Sequence, residues 1–182
     1  MAVSIIAKAA LIVLDLQVAT QGLPAVPNAT PDIVSRSARL ADGFRAKGLP
    51  VIWVTVGGGA KGRTQQQAPT PELPENWSDL LPELGAQPTD HTLTKYAWGA
   101  FHDDRLEKLL AGLGVEQVVL TGVTTSFAVE STARAASERN YHVVVVTDAI
   151  GDMDAAAHEN SVQRIFPNLG ELGTTEDVLG KL

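Results

Sequence analysis

The order of apolar and polar positions divides the chain into short continuous apolar runs and longer stretches with helical spacing. Ala10 to Leu14 (ALIVL) is apolar throughout, as a strand covered on both faces must be. In TPDIVSRSARLADGFRAKG, Ile33, Ser37, Leu40 and Phe44 share one helical face. Thr30 suits the N-cap, Pro31 the first turn and Gly48 the stop. Pro50 to Val56 predicts a second strand, and Thr92 to Lys95 the end of a third. Leu106, Leu109, Leu110 and Leu113 recur at core spacing in a helix over Phe101 to Leu113. Gln117 to Leu120 is a fourth strand. The stretch LTGVTTSFAVESTARAA, Leu120 to Ala136, then turns through a glycine and polar residues into a helix reaching about Asn140. His142 to Thr147 is a fifth strand, followed by DAIGDMD, which reads as turn plus cap. Ala155 to Phe166 is a helix stopped by Pro167. A strand near Leu169 to Thr174 and a short terminal helix complete the chain.

Strands alternating with helices imply parallel pairing through right-handed crossovers. The expected fold is a three-layer α/β/α, Rossmann-like domain over residues 1–182, with a mostly parallel sheet of about six strands and helices on both faces. No repeat or interdomain linker interrupts it. Residues 57–90 break the rhythm with GGG and five prolines. A loop of that length is a lid, a binding loop or a contact surface.

Composition removes several function classes. A net charge of −7 without clustered Lys and Arg argues against nucleic acid. No basic amphipathic helix points to a membrane surface, and no apolar run approaches a membrane span. Lys8 and Asp15 interrupt the apolar start before a signal-peptide cleavage site appears, so a soluble, cytoplasmic protein is expected. Cysteine is absent, which excludes disulfides, thiolate metal sites and a cysteine nucleophile. His91, His102, His142 and His158 lack ligand spacing, so no metal is expected. No G-x-G-x-x-G follows the first strand (the sequence there is DLQVATQG) and there is no Walker motif, so no nucleotide cofactor is expected either.

In open parallel sheets, ligands bind beyond the carboxyl ends of the strands. Asp15, the Gly57 loop, Lys95, Thr124–Thr125–Ser126 and Asp148 follow the first five strands and share that rim. Singly, each has a structural reading: a turn-former, a solvated strand end, a helix cap. Asp148 reads as mainly structural, and Glu130, Arg134 and Arg139 as surface charges. Trp53 and Phe44 read as core, while Trp77 and Trp98 are split between core and pocket wall.

Together these segments resemble the isochorismatase-like hydrolase superfamily. ALIVLDLQ (10–17) is similar to its first-strand aspartate motif, TLTKYAWGAF (92–101) to its lysine segment, and TGVTTSFAVESTARAA (121–136) to its elbow and small-residue helix. YHVVVVTDAIGDM (141–153) and TTEDVL (174–179) match the last strands and tail. Most members look like amidases with an Asp–Lys–Cys triad. That pattern makes Asp15 the aspartate and Lys95 the lysine, and puts Ala128 at the cysteine's place. Thiolate attack on an amide is then impossible. Ser126 and Thr125 lie earlier on the elbow, with no histidine expected to activate them.

A smaller branch, the isochorismatases, also lacks the cysteine and hydrolyses a vinyl ether, releasing pyruvate. That branch implies Asp15 as general acid and Lys95 as partner of a carboxylate or of Asp15. Gln17, Arg63, Trp98, Val123, Thr124, Thr125, Ser126 and Phe127 become substrate-binding candidates, Arg63 toward a second carboxylate. Elbow N–H groups suit an anion. One conflict stands: Lys95 lowers the pKa of Asp15, whereas an acid working near neutrality needs it raised, so burial or substrate charge must win. Three readings remain open. They are a cysteine-independent hydrolase of a small anionic substrate, an amidase-type enzyme whose nucleophile is replaced by Ala128, and a non-catalytic binding or assembly protein. A homo-oligomer is expected by analogy with related proteins.

Overall fold

A computed structural model describes residues 3–65 and 72–182; part of the 57–90 loop, residues 66–71, lies outside them. Six strands form one parallel sheet: β1 (Ala9–Leu14), β2 (Val51–Val56), β3 (His91–Lys95), β4 (Gln117–Val123), β5 (His142–Gly151) and β6 (Glu171–Gly173). Their order is β3-β2-β1-β4-β5-β6. The order reverses between β1 and β4, and there the carboxyl ends leave a crevice.

The uninterrupted apolar run of β1 has a simple cause. Ala9, Leu11 and Val13 face one core layer, with Ile33, Leu40 and Phe44 of α1 (Thr30–Ala46) and Val178 of α5 (Thr175–Leu179). Ala10, Ile12 and Leu14 face the other. That layer holds Leu106 and Leu110 of α2 (Arg105–Gly112) with Ala133 and Ala136 of α3 (Glu130–Glu138). Alternate residues of a strand point to opposite faces, so a strand between two helical layers has no polar side. Trp53 and Phe44 are both fully buried.

Four boundaries differ from the sequence reading, the first being α4 (Ala155–Asn160), which passes into a π-type turn over Ser161–Ile165 rather than continuing to Phe166. The α2 helix begins at Arg105 rather than Phe101, because the Ala100 amide donates to the Thr132 hydroxyl at 3.1 Å and Phe101 packs into the core ahead of the helix. The β4 strand runs through the elbow glycine to Val123. Gly122 holds φ 118°, and a Cβ there would lie 2.0 Å from the Leu14 carbonyl oxygen, so β4 pairs alongside Leu14 of β1 where only glycine fits. The β5 strand also continues through Asp148 to Gly151, with a register shift opposite Leu120 and Gly122. The DAIGDMD segment is thus mostly strand. The Asp148 carboxylate still caps, accepting from the Thr175 N–H at 2.7 Å at the start of α5.

The long loop is partly anchored. Leu81 and Leu84 are buried in the α1 layer. Asp90 accepts from Arg45 at 2.6 Å and from the Trp53 indole at 2.8 Å. No described helix is long and apolar enough to cross a membrane.

Candidate active site

The chain leaves β1 at Asp15, which adopts φ 57°, a left-handed conformation uncommon for a residue other than glycine. Residues held this way concentrate at functional sites. The turn is fixed from behind. The Thr20 hydroxyl donates to the Asp15 carbonyl at 2.6 Å. The Gln17 amide donates to the carbonyls of Val56 at 3.0 Å and Trp77 at 3.3 Å, and accepts from the Val56 N–H at 2.7 Å. Gln17 therefore ties β1 to β2 and the long loop, and it does not line the cavity.

Lys95, the last residue of β3, reaches across to Asp15. Its Nζ donates to Asp15 Oδ2 at 2.8 Å and to the Ala97 carbonyl at 3.0 Å, and both side chains are nearly fully buried. Asp15 Oδ1 is also buried and has no hydrogen-bond partner. Burial pushes the Asp15 pKa up, against the charge and hydrogen bond of Lys95, to about 6 from an ordinary 3.8. Desolvation thus outweighs the lysine, the condition that a general acid required. A buried carboxylate with an unpartnered oxygen is costly as an anion, and protonation lowers that cost by removing the charge.

From β4 the chain enters the elbow by a cis peptide bond between Val123 and Thr124. A π-type turn, Thr125–Val129, then continues into α3. Ala128 sits in that turn, buried, with its methyl on the cavity wall. Not all elbow N–H groups are free for a ligand. Ser126 N–H donates to the Asp152 carboxylate at 2.6 Å, so this part of the expected anion cradle is already filled from within.

Thr125 is fully buried, and its hydroxyl lies 2.9 Å from His158 Nδ1. His158 comes from α4 (Ala155–Asn160), which Asp154 caps through the N–H groups of Ala156 and Ala157. A histidine does therefore meet the elbow, contrary to the sequence reading. Burial lowers its pKa, with the charge of Asp152 opposing, so the ring is neutral near pH 7. The pair lies behind the cavity wall and holds the turn in place.

These elements enclose a cavity of about 310 Å³ at the β1–β4 crevice, at the small end of ligand sites. Of the candidates, Asp15, Lys95, Trp98, Val123, Thr124, Phe127 and Ala128 line it. Gln17, Arg63, Thr125 and Ser126 do not; Arg63 is exposed on the long loop. Gly58 and Gly59, of the glycine loop expected on this rim, complete the lining with Thr20, Val56 and Ala97, which were not singled out in the sequence. Trp98 and Phe127 meet edge to face at 4.7 Å and form the exposed mouth. A larger depression of about 420 Å³ lies against α1. Its Arg39 and Asp42 are engaged by Glu176 at 2.6 Å and Arg45 at 2.8 Å, and no buried titratable group converges on it. No group of described residues could hold a metal ion.

Comparison with known proteins shows the family of the chain. The isochorismatase domain model matches residues 9–177. The chain is 36% identical over 179 residues to the uncharacterized isochorismatase family protein YecD of Escherichia coli O157:H7, covering 95% of each. An isochorismatase family protein from Burkholderia thailandensis has a TM-score of 0.94 at 40% identity, over 100% of this chain and 99% of that one. N-carbamoylsarcosine amidase from Thermoplasma acidophilum is similar at TM-score 0.74 and 25% identity, over 93% and 97%. With the domain match spanning nearly its whole length, the chain belongs to the isochorismatase family of hydrolases.

Proposed function

We propose that this protein is a cysteine-independent hydrolase of a small anionic substrate, with Asp15 as general acid and base. The observation that carries the reading is the state of Asp15. Its carboxyl is buried, Oδ1 is unpartnered, and its pKa is raised to about 6 although Lys95 lies 2.8 Å away. A carboxyl tuned toward neutrality is what proton transfer needs.

The model reaction is hydrolysis of an enolpyruvyl ether. The proton on Asp15 passes to the methylene carbon, the double-bond electrons form the new C–H bond, and the ether carbon becomes an oxocarbenium ion. Water adds at that carbon and gives a proton to the Asp15 carboxylate. The hemiketal then breaks its C–O bond to the alcohol, its hydroxyl proton leaves with the alcohol oxygen, and pyruvate remains. Lys95 neutralises the carboxylate of Asp15 after transfer and binds the carboxylate of the substrate. No step uses a side-chain nucleophile, so the methyl of Ala128 obstructs nothing.

A second reading has a specific observation behind it. Ala128 lies on the cavity wall with Asp15 and Lys95, where a thiol would meet both a base and a cation. This favours an amidase-type site whose nucleophile is missing. A panel of enolpyruvyl ethers and small amides, run on this protein and on Ala128→Cys, separates the two. The first reading expects pyruvate from the unmodified protein. The second expects none, together with an alkylatable thiol and amide hydrolysis in the variant.

A further inference from the structure

The charges around the cavity limit what can enter it, and the following rests on the hydrolase reading of the same site. The chain has 14 lysines and arginines, and of these Lys95 alone lines the cavity. Residues 66–71 read QQAPTP and contribute no cation. Lys61 and Arg63 stand exposed beyond Gly59, outside the lining. Arg105 is committed to the Thr94 carbonyl and to Asp103, both at 2.7 Å.

The Lys95 ammonium has three N–H donors. Two go to Asp15 and the Ala97 carbonyl, and no described residue takes the third. The Thr20 hydroxyl is spent on the carbonyls of Asp15 and Gln17. Much of the remaining wall is apolar: Val56, Trp98, Val123, Phe127 and Ala128. Thr124 adds an uncharged hydroxyl to the lining, so one carboxylate finds a charged partner in the cavity. A second would be desolvated beside apolar side chains and the Asp15 carboxyl, with no counter-charge.

We propose that the cavity selects a small monocarboxylate and rejects a dicarboxylate of the same size. The single carboxylate takes the third N–H of Lys95, and the uncharged remainder lies against Trp98 and Phe127. Binding then divides the ammonium between two carboxyl groups and favours a proton on Asp15. Among the described residues, Lys95 from β3 and Asp15 after β1 are the only titratable groups lining the cavity, so proton uptake on binding belongs to Asp15. Arrival of the substrate thereby loads the general acid.

Two rigid enolpyruvyl ethers of matched shape test this: 2-(3-carbamoylphenoxy)prop-2-enoate, a monoanion, and 2-(3-carboxyphenoxy)prop-2-enoate, a dianion. Binding to the wild-type protein is measured by calorimetry at neutral pH in two buffers of different ionisation enthalpy, with pyruvate release followed in parallel. The expected result is at least tenfold tighter binding of the carbamoyl compound, with net proton uptake. A ratio below tenfold, preference for the diacid, or no binding of either overturns the selection, and binding without proton uptake overturns the coupling to Asp15. Selective binding without pyruvate release leaves the charge selection standing and removes the hydrolase reading. Pyruvate release with preference for the diacid does the reverse.

Discussion

Replacing Lys95 with Met removes the one cation that opposes the desolvation of Asp15, while keeping a long unbranched side chain. In the wild type, burial outweighs the charge and hydrogen bond of Lys95 and leaves Asp15 at about 6. Unit charges about 4 Å apart at an effective dielectric of about 20 attract by roughly 4 kcal/mol. Each tenfold change in proton affinity is about 1.4 kcal/mol, so losing the ammonium adds about three decades. Asp15 in Lys95→Met then remains protonated through neutrality. The assay is carboxyl carbon NMR titration of Asp15 in both proteins. Stability supplies a second readout with a definite sign. Because the folded value is raised above the unfolded 3.8, the stability from this group is complete below that value, declines as pH rises, and is gone above about 6. That interval is worth about 3 kcal/mol in the wild type. In the variant the decline is larger and reaches higher pH. An Asp15 that titrates at or below 3.8 in the wild type, or does not rise in the variant, refutes the view that burial dominates.

Three further outcomes are expected. Gly122→Ala forces a Cβ to 2.0 Å from the Leu14 carbonyl at φ 118°, and adding backbone strain to overpacking destabilises the fold by roughly 2–6 kcal/mol, read by denaturant unfolding. His158→Phe leaves the buried Thr125 hydroxyl without its partner and costs about 1–3 kcal/mol, with faster amide exchange across residues 125–129. Since burial lowers the folded pKa of His158, its contribution is present above the unfolded value and lost as pH falls; the variant shows a shallower acid-side loss. Asp90→Ala leaves the Trp53 indole without its acceptor, while Arg45 keeps Asp42 and the Gly85 carbonyl, and costs about 1–3 kcal/mol, with a change in tryptophan fluorescence.

Where a residue's role follows from its own side chain and position in an element, the sequence carried it. The apolar run of β1 announced a strand between two layers, and Asp15 and Lys95 stood at the carboxyl ends of β1 and β3, on either side of β2, because parallel topology puts those ends on one rim. Gly58 and Gly59 were legible only as part of the glycine loop on the rim, and Ala97 was not singled out, since these residues line the cavity by having little side chain. Gln17 was a substrate-binding candidate through the family resemblance, as part of the first-strand aspartate motif. Its amide instead satisfies backbone groups of β2 and the loop, and such bonds depend on tertiary register. The Thr125–His158 contact joins residues 33 positions apart through the packing of α4 on the elbow. A lone histidine amid Ala155, Ala156 and Ala157 was its only trace. The β4 boundary was placed early because Gly122 reads locally as a turn, while close approach to Leu14 makes it part of a strand.

The most direct test of the central claim is pyruvate release from an enolpyruvyl ether across pH, comparing the wild type with Asp15→Asn. The account predicts a kcat/KM that falls about tenfold per pH unit above the Asp15 pKa of about 6, and no release by the variant. Equal activity in Asp15→Asn, or no pyruvate from the wild type at any pH, contradicts it.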